Sequence, residues 1–333
     1  MKRRVKFFRF GIIALSFMMA VVMASPVLAV DTSCKTKYPI IFAHGMAFTP
    51  SASYPNSIPG IYEALTACGA TIYTPAVDAI AGTRDKATQF KAAFLKIQAL
   101  YPAGQKFNII GHSHGTLYTR DAITNLGLAP YVVSHTSVAG VHRGSYIDQI
   151  VLNMQNLIPG VAPLMSQLAG MLLGVDPVKQ DANLHDLSVD YMTKTFNPNT
   201  PNVPSIYYQS WNGAYRYYDI FTSLFGGLTM IGDVLKSGGN LSFGPATPAM
   251  IKTLYDAMYP LATVTYYLGG GEGDGLVTTS SAKWGTFLGT QKGPWYIKGV
   301  NHLDDVNLCP YGAPFDVIGY WKTVVKGLKA KGY

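Results

Sequence analysis

The chain has 333 residues, and 48% of them are hydrophobic, which is enough to bury a large core and excludes a disordered protein. The formal net charge of +8 is concentrated at the N-terminus, since five of the 26 Lys and Arg and none of the 18 Asp and Glu lie within the first 29 residues. The remainder carries a net charge of about +3 and has no cluster of basic and aromatic side chains. This pattern argues against a nucleic-acid-binding protein.

The N-terminus has the pattern of a cleaved export signal. Basic residues are followed by an apolar run over 10–24 and then by Ser25-Pro-Val-Leu-Ala29. The run is too short to span a bilayer comfortably, and the Val-x-Ala ending is typical of a processing site. We therefore predict a signal peptide over 1–29 and a secreted protein, whose mature part, 30–333, forms a single domain.

Three cysteines remain in an oxidising compartment: Cys34, Cys68 and Cys309. Cys34 lies just before the first strand pattern, and Cys68 ends the helical pattern that follows. In a strand-loop-helix unit both lie at the same edge of the sheet, whereas Cys309 follows a histidine motif expected at the opposite edge. We predict a Cys34–Cys68 disulfide and a free Cys309.

Strand and helix patterns alternate along the chain, which predicts a mostly parallel sheet with right-handed crossovers and flanking helices. Strand patterns cover 38–43, 71–74, 107–110, 132–139, 205–210 and 295–297. Helical patterns cover 58–68, 84–100, 116–126 and 314–329.

The stretch Asn108-Ile-Ile-Gly-His-Ser-His-Gly-Thr116 contains a Gly-x-Ser-x-Gly pentapeptide directly after a strand pattern. In such an elbow the serine sits on a strained strand-to-helix turn, where its hydroxyl can attack a carbonyl. The two glycines allow strand and helix backbones to approach closely. Ser113 is therefore the candidate nucleophile.

A second loop is expected beside the serine. The strand pattern at 38–43 runs into His44-Gly45-Met46. In this position the loop supplies one backbone N–H of an oxyanion hole, and the residue after the nucleophile supplies the other. We assign these donors to Met46 and His114.

The candidate acid and base follow in chain order. The flexible run 269–273 leads into Asp274, which we favour over Glu272 because Leu276 and Val277 can anchor the loop behind it. His302 comes next, which completes the order Ser, Asp, His. His142 is a rival base, but a histidine in such a polar loop is more often a structural hydrogen-bonding residue.

The segment 147–175 is strongly apolar and has hardly any charge. Apolar residues at helical spacing are typical of a core helix, and this interpretation stays open. Its position beyond the edge of the sheet favours a lid that covers an apolar site and opens at a lipid surface. We predict a lid over roughly 146–190.

Four landmarks together resemble the secreted bacterial triacylglycerol lipases of the Pseudomonas and Burkholderia type, across most of the mature sequence. They are Tyr38-Pro with His44-Gly-Met46, the Gly-His-Ser-His-Gly elbow, Asp274-Gly-Leu-Val277, and Asn301-His-Leu-Asp-Asp-Val-Asn307. The resemblance implies an α/β-hydrolase fold with a helical lid. It also implies interfacial activity on long-chain acylglycerols, and we expect a monomer.

The resemblance further implies a structural Ca²⁺ beside the catalytic histidine. The implied ligands are the carboxylate of Asp304, the backbone carbonyls of Leu308 and Gly312, and a second carboxylate for which Asp256 is the best candidate. Oxygen ligands suit this ion. A solvated acidic turn is the alternative reading of Asp304 and its neighbour.

One feature of this chain departs from the family pattern, and one further partner is implied by the resemblance. The family disulfide near the catalytic acid needs a cysteine around Ser280, and none is present. Many relatives also need a periplasmic folding chaperone, which is a possible partner here. Two other functions stay open: an esterase or depolymerase for another insoluble ester, such as a polyhydroxyalkanoate or a sterol ester, and a non-catalytic binding protein.

Overall fold

A computed structural model of the chain describes residues 30–46, 58–78, 81–157, 177–219, 221 and 248–333. The predicted signal peptide over 1–29 and the centre of the predicted lid, 158–176, lie outside the described residues. Among the described helices, none combines the length and the apolar character needed to cross a membrane.

A six-stranded parallel sheet forms the centre of the described structure. Its strands are β1 (Ile40–Ala43), β2 (Ile72–Tyr73), β3 (Phe107–His112), β4 (Val132–Val138), β5 (Tyr207–Gly213) and β6 (Thr286–Gln291). They are ordered β2-β1-β3-β4-β5-β6 across the sheet. Because the strands are parallel, their carboxyl ends all meet at one edge, where loops can gather catalytic groups.

Helices connect and cover the strands. They are α1 (Ile61–Ala67), α2 (Thr83–Gln98), α3 (Gly115–Asn125), α4 (Tyr146–Leu157), α5 (Pro177–Leu187), α6 (Pro248–Thr265), α7 (Thr279–Ala282) and α8 (Val317–Ala330). A further helical segment covers residues 189–199. The predicted lid thus begins with α4 and returns through α5, and these two helices contact each other.

The two faces of the sheet bury separate cores, as the two-residue period of a strand requires. Ile40 and Phe42 of β1 face a cluster shared with α1 and α8, in which the Phe42 and Trp321 rings lie 5.1 Å apart. Ile41 and Ala43 face the opposite cluster, shared with α2 and α3. β1 and β3 are therefore buried on both sides, which explains their continuous apolar sequences.

The predicted strand at 295–297 is wrong, because these residues lie in a turn in which Trp295 is 80% exposed. The sixth strand is β6, whose side chains are exposed or half-buried. An edge strand of this kind has little hydrophobic alternation to reveal it. Aromatic residues in an exposed turn, in contrast, imitate the composition of a strand.

The structure contains the predicted Cys34–Cys68 disulfide, and Cys309 is free. Both bonded cysteines are buried, and Cys34 N–H donates to the Cys68 carbonyl at 2.8 Å. The bond joins the segment before β1 to the end of α1, across 34 residues of chain.

Removing this bond should lower the free energy of unfolding. For a loop of this length the chain-entropy model gives a loss of about 3 to 4 kcal/mol for the Cys34→Ala/Cys68→Ala variant. Urea unfolding measures the change, and dithiothreitol-treated wild type serves as a second reduced sample. A loss below about 1 kcal/mol in both samples would show that the bond does not constrain the unfolded chain.

Candidate active site

Ser113 occupies a strained turn between β3 and α3. Its φ of 55° lies in the left-handed region, which is unusual for a residue with a side chain. The turn is held in place because Ser113 N–H donates to the Val138 carbonyl at 3.0 Å. The side chain is nearly buried, with 7% exposure. This geometry matches the elbow predicted from the sequence.

Close backbone contacts explain the glycines on both sides of the serine. A Cβ on Gly111 would lie 2.8 Å from the backbone of Gly115, and a Cβ on Gly115 would overlap the Ala43 backbone at the end of β1. A Cβ on Gly45 would lie 2.7 Å from the Ser113 Cβ. The loop that carries Met46 therefore lies directly beside the serine, as expected.

Met46 itself packs against an apolar cluster around the site. The cluster includes Leu117 of α3, Val277 behind Asp274, and Leu187 at the end of α5. It also includes Met192 and Phe196 of the segment 189–199. The elbow helix, the acid loop and the return of the predicted lid thus share one small core.

His302 and Asp274 form a buried pair. The His302 Nδ1 lies 2.8 Å from Asp274 Oδ2, with His302 only 4% exposed and Asp274 fully buried. An ionised carboxylate only accepts hydrogen bonds, so Nδ1 carries the proton and Nε2 is left as the base. The structure brings together the acid and the histidine that chain order predicts.

The acid loop holds Asp274 in a fixed orientation. Its second oxygen, Oδ1, accepts the backbone N–H groups of Leu276 at 3.0 Å and Val277 at 2.7 Å. Its carbonyl also accepts the His302 N–H. The rival acid, Glu272, pairs with Lys292 instead.

The imidazole of His302 lies next to the elbow. Its ring centroid is 4.7 Å from that of His112, the residue immediately before Ser113. Burial and the neighbouring His302 hold the pKa of His112 well below its usual range, so His112 is neutral and does not repel a protonated His302. The arrangement can carry out acyl transfer, with serine as nucleophile and histidine as base.

His142 has a structural position, as the sequence interpretation favours. Its ring is fully buried and stacks on Trp284, with centroids 4.9 Å apart. Its Nε2 lies 2.7 Å from Ser137 Oγ, and its Nδ1 lies 3.2 Å from the Arg120 guanidinium. Burial, followed by the nearby Arg120 charge, lowers its pKa well below the usual value.

Asp304 and Asp256, the two carboxylates predicted to bind a metal, line one cavity of about 390 Å³. Asp304 is 1% exposed, and its carboxylate accepts the Tyr255 hydroxyl and the Asn301 N–H, both at 2.9 Å. Burial raises the Asp304 pKa to about 6. A buried carboxylate with neutral donors suits a hard cation.

The other predicted ligands fit less directly. The Asp256 carboxylate is paired with Lys252 at 2.6 Å and accepts the Tyr311 hydroxyl at 2.8 Å. Its ion pair with Lys252 must therefore break before this carboxylate can bind a metal. Leu308 and Gly312 follow Asp304 in the chain but are not among the described residues that line the cavity. Of the four predicted ligands, Asp304 and Asp256 thus line this cavity, and Leu308 and Gly312 do not.

Sequence reasoning missed Lys86, which is fully buried on α2. Its Nζ lies 3.0 Å from the Nδ1 of His114, the residue after the nucleophile. One sequence feature could have revealed it, because Lys86 stands four and eight residues before Phe90 and Phe94, on the apolar side of the helix.

The chain is similar in sequence to several bacterial lipases. It is 28% identical over 205 residues to a triacylglycerol lipase from Vibrio cholerae, covering 54% of this chain and 64% of that protein. It is 32% identical over 116 residues to one from Pseudomonas fragi, covering 34% of this chain and 38% of that protein. In both cases the matched region spans less than two thirds of the relative. A triacylglycerol lipase from Burkholderia plantarii is 27% identical over 350 residues, covering 93% of this chain and 91% of that protein.

Solved structures agree on the fold. A Bacillus licheniformis lipase in its mature form superimposes with a TM-score of 0.56 and 17% identity, covering 90% of this chain and 96% of that one. A metagenomic carboxyl esterase gives a TM-score of 0.54 and 14% identity, covering 89% of this chain and 77% of that one. No protein-family model matches the chain. The chain has the α/β-hydrolase fold and is similar in sequence to bacterial triacylglycerol lipases.

Proposed function

We propose that the protein is a serine carboxylic ester hydrolase with Ser113, His302 and Asp274 as its catalytic triad. The observation that carries this proposal is the buried His302–Asp274 pair, at 2.8 Å, next to a serine on a strained elbow. The similarity to proteins named triacylglycerol lipases supports it independently.

In the proposed reaction, His302 Nε2 takes the Ser113 proton while the serine oxygen attacks the ester carbonyl. The backbone N–H groups of Met46 and His114 hold the oxyanion, and a single donor of this kind contributes about 3 kcal/mol in comparable sites. The protonated His302 then gives its proton to the leaving alcohol, which leaves an acyl-serine. Water activated by His302 hydrolyses that ester and restores Ser113.

We propose long-chain acylglycerols at a lipid–water interface as the substrate class. The sequence relatives are named for triacylglycerol, and the apolar segment within 146–190 is the expected lid. Its return through α5 and the segment 189–199 packs against the elbow helix and the acid loop. Export through the N-terminal signal would place the enzyme with such a substrate. A periplasmic folding chaperone stays a possible partner.

Hydrolysis of emulsified triolein, compared with a soluble short-chain ester, tests this proposal. Long-chain activity that rises when the substrate forms an emulsion supports a lipase, and Ser113→Ala should abolish it. Activity on a polyhydroxyalkanoate or a sterol ester but not on triolein would replace the substrate class. Failure of a serine-reactive phosphonate to label Ser113 would indicate a binding protein instead.

We also propose that Ca²⁺ binds at the cavity below the catalytic histidine. Asp304 and Asp256 would supply the carboxylates, with the Leu308 and Gly312 carbonyls as further ligands. A bound Ca²⁺ would brace the loop that carries His302, which is two residues before Asp304. The proton transfers proposed above use only the residues of the triad.

Chelation tests this site through stability. Removing a structural Ca²⁺ present at about 100 times its Kd should cost about 2.7 kcal/mol and lower Tm by roughly 5 °C. Asp304→Asn, which keeps an oxygen for the Tyr255 hydroxyl, should lose the response to chelator, whereas Asp85→Asn on the exposed side of α2 should keep it. The same Tm for wild type with EDTA and with added Ca²⁺ would refute the site.

A further inference from the structure

Lys86 is a fully buried cation close to the nucleophile. It lies in the first turn of α2, on the same side of the helix as Phe90 and Phe94, and has no exposed surface. Burying an ammonium group is unfavourable unless it is hydrogen-bonded or paired. An apolar side chain would fill this position more simply. The contacts of Lys86 therefore need an explanation.

The lysine contacts the side chain of His114. Lys86 Nζ lies 3.0 Å from His114 Nδ1, and His114 Nε2 lies 2.9 Å from Thr83 Oγ1. His114 is itself fully buried, and burial followed by the Lys86 charge holds its pKa well below the usual range. A neutral His114 can accept from Lys86 at Nδ1 and donate from Nε2–H to Thr83. When Lys86 is an ammonium, which can only donate, the two partners on α2 specify one tautomer and one ring orientation.

His114 connects this contact to the oxyanion hole. It directly follows Ser113, and its carbonyl accepts the N–H groups of Leu117 and Tyr118 as the first turn of α3 forms. Fixing its ring on one side and its carbonyl on the other limits rotation of its backbone. The N–H of this same residue is the proposed oxyanion donor.

Thr83 is held in turn by a separate contact. Its backbone N–H donates to Asp186 Oδ2 at 2.7 Å, and Asp186 lies near the end of α5. Burial lowers the pKa of Lys86 to about 7, and the carboxylates of Asp78 and Asp186 oppose that shift. The ammonium and the neutral amine both carry N–H groups, so a donor to His114 persists on either side of this value.

We propose that Lys86 and Thr83 are positioning residues of the oxyanion hole, acting through the side chain of His114. Neither residue touches the substrate. They hold the His114 backbone N–H at the angle at which it meets the developing oxyanion. This inference rests on the proposed ester hydrolase function. It adds two residues of α2 that orient His114, the residue after the nucleophile.

Kinetics of variants at Lys86 and Thr83 on a soluble short-chain ester test the proposal. Lys86→Met removes the donor and the charge, Lys86→Gln keeps a donor without the charge, and Thr83→Val removes the second contact. Lys96→Met, at an exposed position on the same helix, is the matched control. Active sites are counted with a serine-reactive phosphonate so that kcat refers to folded enzyme.

We expect Lys86→Met to lower kcat about 10-fold or more with KM within about twofold, because a misaligned donor acts on the transition state and not on substrate binding. Lys86→Gln should recover part of the loss, Thr83→Val should show a smaller loss in kcat, and Lys96→Met should match wild type. The double variant Lys86→Met/His114→Leu should be no slower than His114→Leu alone, since both act through one side chain.

An unchanged kcat in Lys86→Met overturns the proposal, and so does full additivity with His114→Leu. If Lys86→Met fails to fold, Thr83→Val takes its place in the test, and an unchanged kcat in Thr83→Val overturns the proposal. A failure of the proposed function gives a different result: wild type then hydrolyses no ester faster than Ser113→Ala does. That result would overturn both the ester hydrolase function and the positioning role of Lys86 and Thr83.

Discussion

Replacing Asp274 with asparagine should lower kcat about 10⁴-fold while the protein stays folded. The Oδ1 of Asp274 accepts two backbone N–H groups, so an asparagine will keep its oxygen there and turn its NH₂ toward His302. The Nδ1 of His302 must then accept, and its proton moves to Nε2. An imidazole in that tautomer cannot take the proton of Ser113.

The matched control for this prediction is Glu272→Gln, the rival acid. Glu272 pairs with Lys292, whereas Asp274 pairs with His302, so kcat should change less than about twofold. Steady-state kinetics on a soluble ester and the rate of phosphonate labelling at Ser113 measure the effect. Similar losses in the two variants would remove Asp274 from its proposed role.

Replacing Arg120 with alanine should lower the free energy of unfolding by about 3 to 4 kcal/mol. Arg120 is 1% exposed, and its guanidinium donates to Asn197 Oδ1 at 3.0 Å and to the Thr200 carbonyl at 2.8 Å. It also lies 3.6 Å from the centroid of the Trp284 ring. The alanine variant leaves a cavity and removes the donor to both acceptors.

Arg120 lies on α3, just behind the elbow, and its hydrogen bonds connect that helix to the end of the segment 189–199. Urea unfolding of Arg120→Ala measures the loss, with Lys194→Ala as control. Lys194 forms an ion pair with Asp190 in which both side chains are exposed, so its removal should cost less than about 1 kcal/mol. Equal losses would mean that the buried contacts of Arg120 add nothing beyond a surface ion pair.

The elbow and the fold could be predicted because their signals are local. The strand before Ser113 and the glycines on both sides of it can be read from one short stretch. Asp274 and His302 each lie in a short motif of their own, and the order of the three motifs along the chain assigns their roles. The Cys34–Cys68 bond also follows from local order, because a strand-loop-helix unit returns its helix end to the edge where the strand began. Local sterics and strand periodicity limit such features to few arrangements.

Other features depend on which distant segments meet. The exposed turn at 295–297 and the edge strand β6 could not be separated by composition, because the difference lies in their neighbours in the sheet. The pairing of Asp256 with Lys252 also depends on the helix that carries them, and it changes how the predicted metal ligands can act. For these residues, tertiary packing decides which of several possible partners is used.

The sequence by itself therefore determined the α/β fold, the disulfide and the identity of the candidate triad, since each could be read from short motifs and from the order of those motifs along the chain. Only the tertiary structure decided that His142 is held by Ser137 and Arg120, and that Lys86 lies under the elbow against His114. The reason is that burial is a property of the assembled fold. A lysine in a helix can face water or the core with the same neighbours in sequence, and its role follows from what packs against it.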